Sequence, residues 1–219
     1  TAGGRFNAKA GGLRVIMKET FEWIQSWCDH ADKNDLPRVL LVGDSITRAY
    51  REKVGELLRG KYYVDYIATS YAIDQPIYVN LITAFAKDSD YALIYFNHGL
   101  HGLHMTDRVY GEGVEKLLAD IGKGKKVVLA TSTLVKEKGN ARIDYRQTGI
   151  VLRRNRVVEK IAARNGYAMD DLYAVSANIP NEYRLEDGTH YDENGSARLA
   201  ESVARSILRA GGNKEKNEG

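Results

Sequence analysis

The chain is short of the features that would tie it to a membrane, a disulfide scaffold or a polyanion. Its longest apolar runs fall far below the ~18 to 20 residues that span a bilayer, so no membrane partner is expected. A single cysteine, Cys28, excludes an intrachain disulfide and the usual multi-cysteine zinc sites, and fits a reducing compartment. Cys28 itself reads as a small buried hydrophobe on a helix. Net charge is only +3, with signs interspersed, so the basic residues form no stripe and nucleic acid is not an expected partner. No signal peptide is visible. That points to the cytoplasm, with a secreted or periplasmic location open because the chain starts at Thr1 rather than Met. Neither G-x-G-x-x-G nor G-x-x-x-x-G-K-[ST] occurs, so phosphate-cradling nucleotide folds lose their signature. No repeat or low-complexity block interrupts the chain.

What is present is an alternation of strands and helices. At 219 residues the chain suits one α/β domain that buries roughly 70% of its unfolded surface. Residues 1 to 36 read as a Gly-rich lead-in followed by a packing helix from Leu13 to about His30, with Met17, Phe21, Ile24 and Cys28 at helical spacing. The domain proper is expected over 37 to 210, and 211 to 219 as a polar tail. Strands are expected at Val39–Val42, Tyr62–Ala68, Tyr91–Phe96, Val127–Ala130 and Tyr167–Met169. Helices are expected after Ser45, over 77–86, 111–121, 150–165 and 193–209. Five strands alternating with helices imply a parallel sheet covered on both faces. Thr131 to Thr148 reads as a long loop that covers the site with Lys136, Lys138, Arg142, Tyr145 and Arg146, or is merely solvated.

The chemistry concentrates at two places. The first apolar run, Val39-Leu40-Leu41-Val42, breaks into Gly43-Asp44-Ser45, which sets a hydroxyl at the carboxyl end of a strand and the start of a helix. Alone, Asp44 or Ser45 reads as a helix N-cap. The second is Asp187-Gly188-Thr189-His190, just before the last helix. A serine hydroxyl needs a base, and an imidazole is a good base when its other nitrogen is held by an acceptor. Asp187 can bend back to Nδ1 of His190 while Nε2 faces Ser45. The pair therefore reads as nucleophile, base and orienting acid.

These two blocks, in this order, resemble the SGNH hydrolases, the GDSL esterase/lipase superfamily, over about residues 38 to 210. The resemblance implies a flavodoxin-like, three-layer α/β/α sandwich with a five-stranded parallel sheet, here with the added N-terminal helix. It also implies serine esterase chemistry without a cofactor, and an oxyanion hole from the Ser45 N–H, a second-block N–H and a third-block asparagine. Asn97, after the third strand, fits the asparagine by position, although Gly-x-Asn-Asp is replaced by Phe96-Asn97-His98-Gly99. The second block, Thr69-Ser70-Tyr71-Ala72, has no glycine, so its donor falls to the Ser70 N–H or a neighbour. Asp44, Tyr71, His98 and His101 are candidate substrate contacts. His98, His101 and His104 lack the carboxylate or cysteine company of an ordinary metal site, so no metal is expected.

The function expected is hydrolysis of an acyl ester, foremost acetyl, on a small molecule or oligosaccharide, with homo-oligomerisation left open. The alternatives are a lipid esterase or thioesterase, and a catalytically weak carbohydrate-binding member of the fold.

Overall fold

The computed structural model describes residues 17–139 and 142–212. Its six-stranded sheet runs in the order β1-β3-β2-β4-β5-β6. The strands are β1 (Ile24–Trp27), β2 (Arg38–Gly43), β3 (Tyr63–Thr69), β4 (Tyr91–Asn97), β5 (Lys126–Ala130) and β6 (Ala168–Asp170). Strands β2 to β6 are mutually parallel, and β1 joins the β3 edge antiparallel. Taken alone, the five parallel strands have the flavodoxin-like order 2-1-3-4-5.

The apolar run of β2 follows from burial on both faces. Val39 and Leu41 enter one core, shared with α1 (Ser45–Leu57) and α6 (Glu193–Gly211). Leu40 and Val42 enter the other, shared with α2 (Pro76–Asp88), α3 (Asp107–Ile121) and α4 (Tyr145–Asn165). Alternate residues from Val39 to Val42 thus feed opposite layers, so none of these four positions is left for a polar side chain. A short α5 (Leu172–Ala177) follows β6. No helix among the described residues is long and apolar enough to cross a membrane.

One expected element is replaced. Among the described residues, 17–30 contain no helix; Ile24–Trp27 pairs with β3 instead, in the register Ile24↔Thr69 to Trp27↔Tyr66. All seven residues of β3 are buried, and without β1 that strand would present an unpaired ladder at the sheet edge. Satisfying that ladder outweighs the helical spacing of Met17, Phe21 and Ile24, all of which are exposed. The edge strand precedes residue 37, so the sheet begins earlier than the expected domain. Cys28 consequently lies just past a strand, half-buried and not paired in a disulfide. The lead-in over 1–12, Leu13–Ile16 and the tail from residue 213 lie outside the described residues.

The remaining shifts are at ends. Capping by Thr106 starts α3 at Asp107, and capping by Asp144 starts α4 at Tyr145, inside the expected loop.

β2 has β3 on one side and β4 on the other, so the crossovers from β2 and β3 leave toward opposite faces. The switch point is the crevice beyond the carboxyl ends of β2 and β4. There Gly43 sits beside Asn97 in register. A Cβ on Gly43 would stand 1.9 Å from Thr47 Oγ1 and 2.5 Å from the Asn97 carbonyl oxygen, so only glycine lets the turn close on β4. Gly43→Ala is expected to destabilise the fold by about 2–3 kcal/mol, measured by urea denaturation; an unchanged midpoint would contradict this packing.

Candidate active site

Helices α1 and α6 pack side by side, and each carries one half of the site at its N-terminal end. Asp44 caps α1, its Oδ1 accepting from the Ile46 N–H at 3.0 Å, which makes Ser45 the first helical residue. The Ser45 N–H, like any in a first helical turn, has no acceptor within its own helix. Asp192 likewise caps α6 by accepting from the Gly195 N–H at 2.8 Å. The loop before it brings His190 over α1. His190 Nε2 lies 2.7 Å from Ser45 Oγ, and His190 Nδ1 lies 2.7 Å from Asp187 Oδ2.

Asp187 is fixed from the backbone side. Its Oδ1 accepts from the Thr189 N–H at 2.8 Å and the His190 N–H at 2.9 Å. Partial burial raises its pKa, but the hydrogen bonds from the His190 and Thr189 N–H groups and the imidazole outweigh that and hold the carboxyl below its ordinary value. Gly188 is at φ +75°, and a Cβ there would meet the Lys136 carbonyl oxygen at 2.1 Å. The Lys136 N–H in turn donates to the Gly188 carbonyl at 2.8 Å. The long loop therefore supports the Asp187 turn from behind. Lys136, Lys138, Arg142, Tyr145 and Arg146 do not line the cleft above Ser45; Gln147, the first-turn residue of α4, does.

Asn97 is buried at the end of β4, and its Nδ2 donates one hydrogen to the Thr131 carbonyl at 3.1 Å. A side-chain amide nitrogen carries two, so one remains. The second-block donor differs from expectation. The Ser70 N–H donates to the Trp23 carbonyl at 3.2 Å, extending the ladder of β1, and the Ser70 hydroxyl bridges the Trp23 N–H and Glu22. Its neighbour Tyr71 donates its N–H to Thr69 Oγ1 at 3.1 Å. Ser70 is therefore engaged by the edge strand that the sequence pattern did not reveal.

The three histidines diverge. His101 Nδ1 contacts Glu19 at 2.8 Å and His104 Nε2 contacts Asp74 at 3.1 Å, both beside the cleft. His98 is fully buried against Tyr78, with ring centroids 4.6 Å apart, and does not line the cleft. Among the described residues, no group of three or more His, Cys, Asp and Glu side chains is placed to hold a metal. Tyr71 is half-buried under Lys18, outside the cleft lining, and Asp44 is committed to its cap.

Two residues on α4 were not singled out from the sequence. Arg154 is fully buried and donates to the carbonyls of Gly99, His101 and Gly102 at 2.8, 2.7 and 2.6 Å, with the Tyr110 ring 4.7 Å from its guanidinium carbon. Asn155 clasps Ser132, accepting from its N–H and donating to its carbonyl. Together they fix the loops that follow β4 and β5. The available signal was an arginine in line with Val151, Val158 and Ile161 on an otherwise apolar helical face.

The cleft itself holds about 420 Å³. Ser45, His190 and Thr189 form one wall; Ala72, Leu100 and Leu103 supply apolar surface, and Gln75, His101, His104 and Gln147 polar groups. Met17, Lys18 and Glu19 close the remaining side, held by the hydrogen bond from Gln75 to the Met17 carbonyl at 2.7 Å.

No family model matches the sequence, and no curated protein matches it. Solved structures do. A candidate SGNH hydrolase from Slackia heliotrinireducens superposes with a TM-score of 0.63 at 21% identity, over 79% of this chain and 100% of that one. The fold is that of the SGNH hydrolases. A lipase/acylhydrolase from Enterococcus faecalis superposes with a TM-score of 0.61 at 19% identity, over 83% of this chain and 99% of that one. An acetylxylan esterase from Geobacillus stearothermophilus gives 0.60 at 16% identity, over 80% and 93%. This SGNH-type sheet differs from the five-stranded expectation in its sixth, antiparallel strand.

Burial pushes the His98 pKa down to about 4, against the opposing pull of the Asp44 carboxylate. Burial outweighs the groups that favour the charged form, so the folded protein holds this imidazole neutral. An unfolded histidine titrates near 6.5, so the unfolded state gains protons first as pH falls. Stability is then lost between about pH 6.5 and 4, by about 3 kcal/mol from this residue. His98→Leu is expected to flatten that decline in urea midpoints measured at pH 7.5 and 4.5; equal slopes in both proteins would contradict it.

Proposed function

We propose that this protein is a serine esterase acting on acyl esters, foremost acetyl esters, of a carbohydrate. The observation that carries the reading is the unbroken line Ser45 Oγ, His190, Asp187, joined by two contacts of 2.7 Å. His190 Nε2 takes the hydroxyl proton as Ser45 Oγ bonds to the ester carbonyl carbon, and the carbonyl π electrons move to its oxygen. Asp187 holds the Nδ1–H tautomer and stabilises the imidazolium. Collapse of the tetrahedral intermediate breaks the bond to the alcohol, which leaves with the proton from His190. Water, deprotonated by the same imidazole, then adds to the acyl-serine, and the acid departs as Ser45 recovers its proton.

For the developing oxyanion this reading assigns two donors, the Ser45 N–H and the spare hydrogen of Asn97, whose backbone is the register partner of Gly43. The cleft sets the apolar side chains of Met17, Ala72, Leu100 and Leu103 beside the amides of Gln75 and Gln147 and the imidazoles of His101 and His104, a mixture that accommodates a small acyl group on a polar alcohol. Acetylxylan esterase and lipase/acylhydrolase activities among the proteins of similar fold support ester hydrolysis, and the former supports carbohydrate.

One observation favours the catalytically weak binder: the Ser70 N–H already has an acceptor, which leaves the hole one donor short of the three implied by the family resemblance. Steady-state hydrolysis of p-nitrophenyl acetate decides between them. The esterase reading expects Ser45→Ala to lose at least about 1000-fold in kcat and Asn97→Ala about 100- to 1000-fold. Turnover by the wild type no faster than by Ser45→Ala would overturn it in favour of the binder.

A further inference from the structure

A second cleft, of about 890 Å³, opens where β1, α1 and the start of β3 meet, and the triad does not use it. Its most exposed large hydrophobic side chain is Trp27, 65% accessible on the edge strand. Trp27 is no isolated surface ring. Side chains of an extended segment alternate, so Trp23, Gln25 and Trp27 point to one side, toward α1. There the Arg48 guanidinium lies 4.8 Å from the Trp23 ring, and Arg51 lies 4.9 Å from the ring of Tyr66, the register partner of Trp27.

This row has a direction. Arg48 is three residues beyond Ser45 and Arg51 three further, on one face of α1. β1 runs antiparallel to β3, so Trp23 sits at the carboxyl end of the sheet beside Ser70 while Trp27 lies farther down the edge. Four residues at strand rise span about 13 Å, room for a short run of pyranose rings. The row thus runs along the sheet edge from the second cleft toward the end of the sheet where Ser45 stands, over Trp23 and Arg48, which line neither cleft.

The chemistry of the walls selects a class of ligand. Arg51, Glu52, Glu56 and Arg59 lie along α1 and just past its end, with Arg51 and Glu52 ion-paired at 2.6 Å, and Asp29 lies on the β1 side, so the lining carries both signs and neither a polyanion nor a polycation meets a uniform opposite charge. A neutral glycan needs no such match. The C–H face of a pyranose is apolar and stacks on an indole, while its rim of hydroxyls needs donors and acceptors together, which the arginines and carboxylates supply.

We propose that this groove binds a neutral, unbranched glycan and guides the ester-bearing chain to Ser45. The proposal rests on the carbohydrate esterase reading for its purpose, while the binding it claims is measurable separately. Calorimetric titration of Ser45→Ala protein with unacetylated xylo- and cello-oligosaccharides, from dimer to hexamer, tests it. Affinity for at least one series is expected to rise with chain length. Adding Trp27→Ala is expected to remove that rise and weaken hexamer binding about tenfold. Trp27 is exposed, so its removal should leave the thermal midpoint and the wild-type rate on p-nitrophenyl acetate unchanged, and Trp27→Phe should restore part of the affinity. No binding by either series, affinity independent of length, or a length effect that survives Trp27→Ala would overturn the proposal. Ser45-independent hydrolysis of p-nitrophenyl acetate would instead overturn the esterase reading and leave the titration to stand by itself.

Discussion

One short hydrogen bond, between Ser45 and His190, joins residues separated by 145 positions, a second ties His190 to Asp187 three residues away, and the layout of the sheet brings the first about. Ser45 opens the helix after the first parallel strand; His190 ends the loop before the final helix. They meet because α1 and α6 pack against the same face of the sheet with their N-terminal ends at the same crevice. Each of those ends is capped by an aspartate, Asp44 or Asp192, which fixes where the helix begins and hence where the Ser45 side chain stands. A capping shift of one residue would rotate Ser45 by about 100° around α1 and break the line.

The supporting structure is unequal on the two sides. The Asp187 side is held by backbone: the Gly188 turn, the Lys136 strand-like contact and the N–H groups of Thr189 and His190. The Asn97 side is held by side chains of α4, through Arg154 on three carbonyls and Asn155 on Ser132. Burying a guanidinium without a carboxylate is expensive, and three carbonyls with an aromatic face offset that cost only in this arrangement. The loop after β4 is therefore anchored at three carbonyls, although it contains little regular structure.

Much of this was legible in the sequence. The doubly buried strand β2 announced itself as an apolar run, and the Gly-Asp-Ser turn and Asp-x-x-His loop each carried a residue set with a chemical reason to pair. The N-terminal segment was misleading because Met17, Phe21, Ile24 and Cys28 have helical spacing, while the factor that governs it, the open ladder of β3, is a property of the sheet rather than of the segment. The Ser70 donor failed for the same reason: its N–H is taken by Trp23, a partner 47 residues away. His98 was grouped with His101 and His104 by proximity in sequence, yet it lies at the end of the buried pattern of β4, packed on Tyr78. Edge pairing and inter-element clamps such as Arg154 are long-range facts, and local patterns register them only as anomalies.

The central claim is that His190 and Asp187 make the Ser45 hydroxyl nucleophilic. A fluorophosphonate probe tests this directly, because it forms a stable bond only with an activated serine oxygen. Mass spectrometry of the intact and digested protein is expected to show one adduct, on the peptide containing Ser45, lost in His190→Ala. No adduct, or an adduct on another residue that persists without His190, would contradict the account.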